Sequence, residues 1–308
     1  MISDSFSLGL HTGMVYSVNM EVLPQLGIVL CTFIGASTVV VAEPLVALVP
    51  PLFLLGIRFV LAALLLGIAI PGKIFPLTRQ SVVSGFIAGV GFGAGSGLLY
   101  LALPHVRAGK LTFLIALEVV LVPLLSVTFF KHALKSGERL ALLPAVLGLW
   151  LITGDTDGSF SLWEIVGLLS AFAYSIYTIA LSQLAPAGSV ASRTFVTCLV
   201  ISVFALSLSF VFESSTPVQW SNYAVISLAY LVVAGTLVRF LVQAWAQQTV
   251  SASFTALTFS AEPVFAISMS YIFLGERFTF AQSCGAICIL VAVGLVSWRP
   301  VAGGRGSS

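Results

Sequence analysis

The chain is a string of apolar runs, each about as long as a bilayer is thick, with its charges held mostly at the breaks between them. The runs fall near residues 24–42, 52–70, 81–102, 108–130, 140–154, 162–184, 194–212, 221–245, 251–273 and 279–298. A helix needs about 20 apolar residues to cross the hydrocarbon layer. Charged residues make up only 8% of the chain and hydrophobic ones 59%. A soluble domain carries about 25% charged residues to cover its surface, so lipid is the solvent here. The pattern predicts an all-α membrane protein with ten transmembrane helices.

The distribution of Lys and Arg sets the orientation. With the N-terminus inside, Lys73, Arg79, Lys131, Lys135, Arg139, Arg193, Arg299 and Arg305 fall on the cytoplasmic side, and Arg107, Lys110 and Arg277 outside. Arg58 and Arg239 lie within spans. Asp155, Asp157 and Glu213 fall outside, in agreement. An even number of spans then leaves both termini cytoplasmic. The cations are scattered rather than patched, which gives no surface for nucleic acid. Met14 and Met20 are alternative starts, and the N-terminal tail, 1–22, carries no functional assignment.

The halves of the chain resemble each other. Ala102 to Glu118 aligns without gaps to Ala246 to Glu262, pairing Ala102 with Ala246, Val106 with Val250, Ala108 with Ala252 and Glu118 with Glu262. Farther on, Gly137-Glu138-Arg139 matches Gly275-Glu276-Arg277. An odd number of spans per repeat forces the halves into opposite orientations. The sequence therefore divides into a first repeat, 23–157, a second, 158–298, and a C-terminal tail, 299–308. Inverted repeats are a construction many secondary transporters share, with the substrate site at the repeat interface near the midplane.

On these residues the chain resembles the drug/metabolite transporter superfamily, EamA-like branch. The carriers are Ile57-Arg58-Phe59 in the second span, Tyr100-Leu101-Ala102-Leu103 ending the third, Ser260 to Ala266 in the ninth, and Leu274-Gly275-Glu276-Arg277 after it. Two positions depart from the pattern. Phe33-Ile34-Gly35 stands where many relatives carry a Trp before Gly, and Val119 stands opposite Pro263. The resemblance implies a carrier of small organic solutes, exporting amino acids or related metabolites from the bacterial inner (plasma) membrane. It is compatible with proton coupling and with a homodimer.

Seven residues are candidates for the substrate or coupling site. Glu118 and Glu262 sit mid-span at equivalent positions, where a carboxylate is costly unless it faces protein or a water-filled cavity. They either face a central cavity, binding a cation or exchanging protons, or hydrogen-bond across the contact between the halves. Pro263 removes one intrahelical bond and should kink the ninth span. Arg58 is expected to pair structurally or to reach the outer interface. Arg239 meets a carboxylate-bearing substrate or reaches the cytoplasmic headgroups, with the second favoured. Tyr174, near midspan, is the foremost aromatic candidate for lining a cavity, and Tyr100 joins it.

Other features are read as packing. Gly89, Gly93 and Gly97 stack at four-residue intervals, the small-residue pattern that lets helices approach closely. Trp245 and Trp298 suit interfacial anchors. Cys284 and Cys288, four apart with no His or second Cys pair nearby, are packing rather than a metal site, and no cofactor motif is present. There is no Walker motif to use ATP. An intramembrane enzyme would need a nucleophile with a base, or a metal cluster. The three histidines, His11, His105 and His132, lie in the tail and in loops on opposite faces, so an enzyme is not expected. A channel would need more polar in-span residues than the sequence holds.

Overall fold

The computed structural model describes residues 22–46, 48–102, 105, 114–131, 134–153, 161–184, 189–213, 217–274 and 279–297. The tails, Arg107, Lys110, the acidic pair Asp155 and Asp157, the second Gly-Glu-Arg motif and Trp298 lie outside these residues. The ordered elements are helices throughout the described residues: α1 (Leu23–Leu45), α2 (Pro51–Ala69), α3 (Arg79–Ala102), α4 (Glu118–Phe130), α5 (Ser136–Thr153), α6 (Leu162–Gln183) and α7 (Val190–Phe212). They continue with α8 (Asn222–Ala246), α9 (Ala252–Phe259), α10 (Glu262–Leu274) and α11 (Phe280–Ser297). A single turn, Pro71–Ile74, follows α2.

Six of these, α1, α2, α3, α6, α7 and α8, are long and apolar enough to cross a membrane by length and composition. The outer surface of the helices suits lipid. Phe210 and Leu143 are each 79% exposed and Phe280 87%, a display of large apolar side chains that a water-soluble monomer avoids.

The helix ends explain themselves. Pro51 opens α2, where a missing N–H costs nothing, and the Glu213 carboxylate accepts from Leu52 N at 2.9 Å and Phe53 N at 2.8 Å. Ser161 and Glu164 form a capping box on α6. Ser251 caps α9, accepting from Phe254 N at 3.1 Å, and donates to Glu138 Oε1 at 2.8 Å. Glu138 also accepts from Lys135 N at 3.0 Å, so the first Gly-Glu motif fixes the start of α5 and ties it to α9. The helix begins four residues before the run read from the sequence.

Arg193 falls just inside a helix. It lies in the first turn of α7, 3% exposed, one residue before the run read from the sequence. It donates to Ala244 O at 2.7 Å and Leu181 O at 3.5 Å, and so places a cation at the carbonyl ends of α8 and α6, where the helix dipole favours it.

Helix α3 owes its place to glycine. A Cβ at Gly85, Gly89 or Gly97 would stand within 3 Å of Val196, Val200 or Leu208, a matching row at four-residue spacing on α7. On its other side a Cβ at Gly91 would come 2.8 Å from Tyr177 N and one at Gly95 2.9 Å from Tyr174. The helix is thus wedged between α6 and α7 at backbone-to-backbone range, as small-residue packing allows. Elsewhere α2 packs on α7, α5 on α11, α1 on α8 and α10, and α4 on α6 and α9. One apolar core gathers Phe59, Ile201, Leu231 and Phe240, and a second Leu149, Leu257 and Ile289.

Candidate functional site

The polar interior is built on three breaks in helical regularity. The first is at Leu117, a turn between 114–116 and α4. The second is at Ser260 and Ala261, a turn between α9 and α10. Each break releases a helix of 13 residues whose first residue is a glutamate, Glu118 in α4 and Glu262 in α10. A carboxylate in the first turn of a helix meets unpaired N–H groups and the positive end of the dipole. Pro263, second in α10, lacks only an N–H that would be free anyway. The expected kink takes the form of a two-residue turn at Ser260 and Ala261. Val119 takes the same place in α4 and the chain breaks there too, so proline is not what requires it.

The third irregularity is in α8, where Val233–Val238 is π-helical. Thr236 Oγ1 donates to Leu231 O, five residues back, at 2.9 Å. The wide turn offers its polar groups to α2. Arg58 donates through Nε to Thr236 Oγ1 at 2.5 Å and through Nη2 to Gly235 O at 2.6 Å. Arg58 is a structural partner of α8, as one of its two readings expected, and does not reach for the interface.

Arg239, directly after the π segment, overturns the favoured expectation for it. Its Nη2 donates to Glu262 Oε1 in an ion pair, with side chains 15% and 27% exposed, instead of extending to headgroups. The π segment lies immediately before it and sets its rotation about the α8 axis. Its guanidinium also lies 5.3 Å from the Phe259 ring centroid, within cation–π range. Gly35 on α1 makes room for the pair: a Cβ there would collide with Glu262 Oε1 and stand 2.8 Å from Arg239 Cζ.

Glu118 accepts a hydrogen bond from Thr178 Oγ1 of α6 at 2.5 Å and lies within electrostatic range of Glu262 and Arg239. The two carboxylates matched in the sequence therefore face one region. Tyr174 OH pairs with Ser96 Oγ at 2.9 Å, and its ring meets Phe92 edge-on at 5.3 Å. It lies one turn before Thr178 on α6, the residue that donates to Glu118. Tyr100 neighbours Arg58. Direct contacts join Arg239 to Glu262, and the π segment of α8 links Arg239 in sequence to the Arg58 partners Gly235 and Thr236.

Sequence reasoning missed several members. Thr178, Ser96, Thr236 and Gly35 are small residues in apolar helices, and nothing local marks them. Gln243 and Gln247 did carry a signal, being two amides one turn apart inside an apolar run. Both are 1% exposed. Tyr177 OH donates to Gln243 Oε1 at 3.1 Å, Gln243 Nε2 to Gln247 Oε1 at 2.9 Å, and Gln247 Nε2 to Thr178 O at 3.0 Å and Ser182 Oγ at 2.7 Å. This chain ties α8 to α6 beneath the carboxylates. Among the described residues no group of His, Cys, Asp and Glu gathers as a metal site.

Comparison with known proteins agrees with this architecture. The chain is 26% identical over 275 residues to a protein of Archaeoglobus fulgidus named an uncharacterized transporter, covering 89% of this chain and 86% of that one. It is 24% identical over 276 residues to the uncharacterized transporter YoaV of Bacillus subtilis, covering 87% and 94%. A solved crystal structure superposes with a TM-score of 0.71 at 17% identity over 90% of this chain and 96% of the other, a likeness of fold. The profile of the EamA-like transporter family matches twice, over residues 23–154 and 161–298. The protein is an integral membrane member of the EamA-like transporter family.

Proposed function

We propose that this protein is a secondary carrier that moves a small organic solute, an amino acid or related metabolite, out across a bacterial inner membrane by alternating access. Two inverted halves, 23–157 and 158–298, each of five spans, rock about the central cluster with both termini cytoplasmic. The observation that carries this reading is the pair of broken helices. Each half contributes a half-helix whose first residue is the equivalent glutamate, Glu118 or Glu262. Discontinuous helices of this kind present unpaired backbone ends and charge at midplane binding sites of carriers.

Helix partnerships support the inverted repeat. Exchanging the halves turns the pairing of α3 with α6 into that of α8 with α1, and both are present. It likewise turns α4 with α6 into α9 and α10 with α1, and returns α2 with α7 and α5 with α11 to themselves. The two family matches fall on the same halves.

Proton exchange at Glu118 or Glu262 is the coupling step of this scheme. The test is solute counterflow in reconstituted vesicles, measured from pH 5.5 to 8.0. Saturable counterflow is expected in the wild type, and Glu118→Gln or Glu262→Gln should lose most of the rate or its pH dependence. Flux without counterflow would mean a channel. Wild-type rates and pH profiles in both Gln variants would leave the carboxylates as packing groups.

A further inference from the structure

Two polar rows run down α6 and α8 toward their C-terminal ends. Tyr174, Thr178 and Ser182 follow one another at four-residue intervals on α6, and Arg239, Gln243 and the C-cap Gln247 do so on α8. Residues four apart share a helix face, so each row descends one face from the level of the glutamates to the helix end. At the upper level Thr178 meets Glu118 and Arg239 meets Glu262. The Glu262 side chain is 27% exposed, whereas Gln243 and Gln247, farther down, are each 1% exposed. Solvent-sized space therefore reaches the carboxylate and not the amides.

Among the described residues the backbones of α6 and α8 make few close approaches. Long side chains bridge the gap instead. Tyr177 OH reaches from α6 to Gln243 Oε1 at 3.1 Å, and Gln247 Nε2 reaches back to Thr178 O at 3.0 Å and Ser182 Oγ at 2.7 Å. The bond from Gln243 Nε2 to Gln247 Oε1, at 2.9 Å, joins these crossings into one chain. Arg193 of α7 ties the same two helices near their ends, on Leu181 O and Ala244 O. A buried amide is costly without partners. Both amides are met only while α6 and α8 keep this spacing, so the crossings form or break together.

We infer that Tyr177, Gln243 and Gln247 are the cytoplasmic gate of the carrier, closed in this structure, and that parting α6 from α8 at these amides opens the region of the carboxylates to the cytoplasm. The inference rests on the carrier reading and its topology, in which α6 and α8 both end at the cytoplasmic face. Amides suit a seam that must open repeatedly. Water replaces their bonds at small net cost, because a neutral hydrogen bond contributes little once both partners are rehydrated. An apolar seam would have to expose its side chains to that water. None of the three residues is hydrogen-bonded to either glutamate among the described residues, so they act on access to the site.

The test reads access from each face without any solute, so it stands apart from counterflow. Full-length protein carrying Tyr174→Cys, one turn before Thr178 on α6, is exposed to a membrane-impermeant maleimide in right-side-out and in inside-out vesicles. The protein without this reporter supplies the background from Cys31, Cys198, Cys284 and Cys288. The reporter alone should label slowly from the cytoplasmic face. Adding Gln243→Ala and Gln247→Ala should raise that rate at least tenfold and leave the rate from the external face unchanged. Gln243→Asn keeps the amide but shortens its reach by one methylene; it should give a smaller rise in the same direction, and it serves if the double variant does not fold. Fast cytoplasmic labelling before any gate residue is changed would overturn the closed gate. An unchanged rate in the variants would do the same, as would a rise from both faces alike, the mark of a loosened fold. Counterflow in the wild type beside any of these results would overturn the gate alone and leave the carrier reading standing.

Discussion

The Arg239–Glu262 pair sits between two regimes of electrostatics, and its worth is measurable. Exposed pairs contribute about 0–1 kcal/mol, whereas removing one partner of a buried pair costs about 3–5 kcal/mol, because the survivor is left uncompensated. With side chains 15% and 27% exposed, the pair lies nearer the buried end but keeps some access to water. Arg239 Nε has no partner among the described residues, so the guanidinium depends on Glu262 for most of its compensation. Glu262→Gln and Arg239→Gln should therefore each destabilise the protein by about 2 kcal/mol. The double variant should cost far less than their sum, with a coupling energy of about 2 kcal/mol. Reversible unfolding of the four proteins in detergent micelles, followed by circular dichroism, supplies the cycle. Single-variant losses that add to within about 0.5 kcal/mol would mean the ion pair does not hold α8 to α10.

The glycine helix makes a graded prediction. Gly91→Ala, whose Cβ would stand 2.8 Å from Tyr177 N and 2.9 Å from Ala173 O, should lower stability by about 1–3 kcal/mol. Gly93→Ala, 3.4 Å from Phe204, should be neutral or stabilising, since Ala outranks Gly in helices by about 1 kcal/mol, and equal melting points for the two would contradict the packing. Tyr174→Phe removes the 2.9 Å bond to Ser96 and should cost about 1 kcal/mol, read in the same unfolding assay; a silent substitution would show that the hydroxyl pair is not formed. Cysteines placed at Asp157 and Lys135 should label from opposite faces of the membrane, and labelling from one face would end the proposed topology.

Much of this molecule was legible from local pattern. The long runs that became α2, α3, α6 and α8 lie within a few residues of their expected limits, because length and apolarity alone mark a span. Gly89, Gly93 and Gly97 announced a close helix contact, since their spacing leaves a groove whatever fills it. Glu118 and Glu262, paired by the aligned halves, each open a helix of 13 residues. The partners of Arg193 were not legible, because a cation near the start of an apolar run looks the same whether it faces headgroups or the carbonyl ends of two other helices. Arg239 was misread for a related reason. Its partner is 23 residues away, and nothing in the local sequence says which side of α8 the guanidinium leaves from.

What the sequence conceals has a common physical origin. The turn at Leu117, the turn at Ser260 and Ala261, and the π segment of α8 all occur in apolar stretches with good helical character. Irregular backbone at membrane depth is tolerated only where it is buried in protein or lines a cavity. At each of them a polar side chain from another helix stands close: Thr178 at Glu118, Arg239 at Glu262, and Arg58 at the π segment. Arg58 is 177 residues from Gly235, and Thr178 is 60 residues from Glu118. Local propensity cannot register partners at that range. The irregular turns and the charged groups thus fall at the same places along the helices, Glu118 and Glu262 directly after the turns and Arg239 directly after the π segment. A polar cluster at this depth requires the irregular backbone, and the irregular backbone is stable only around the cluster.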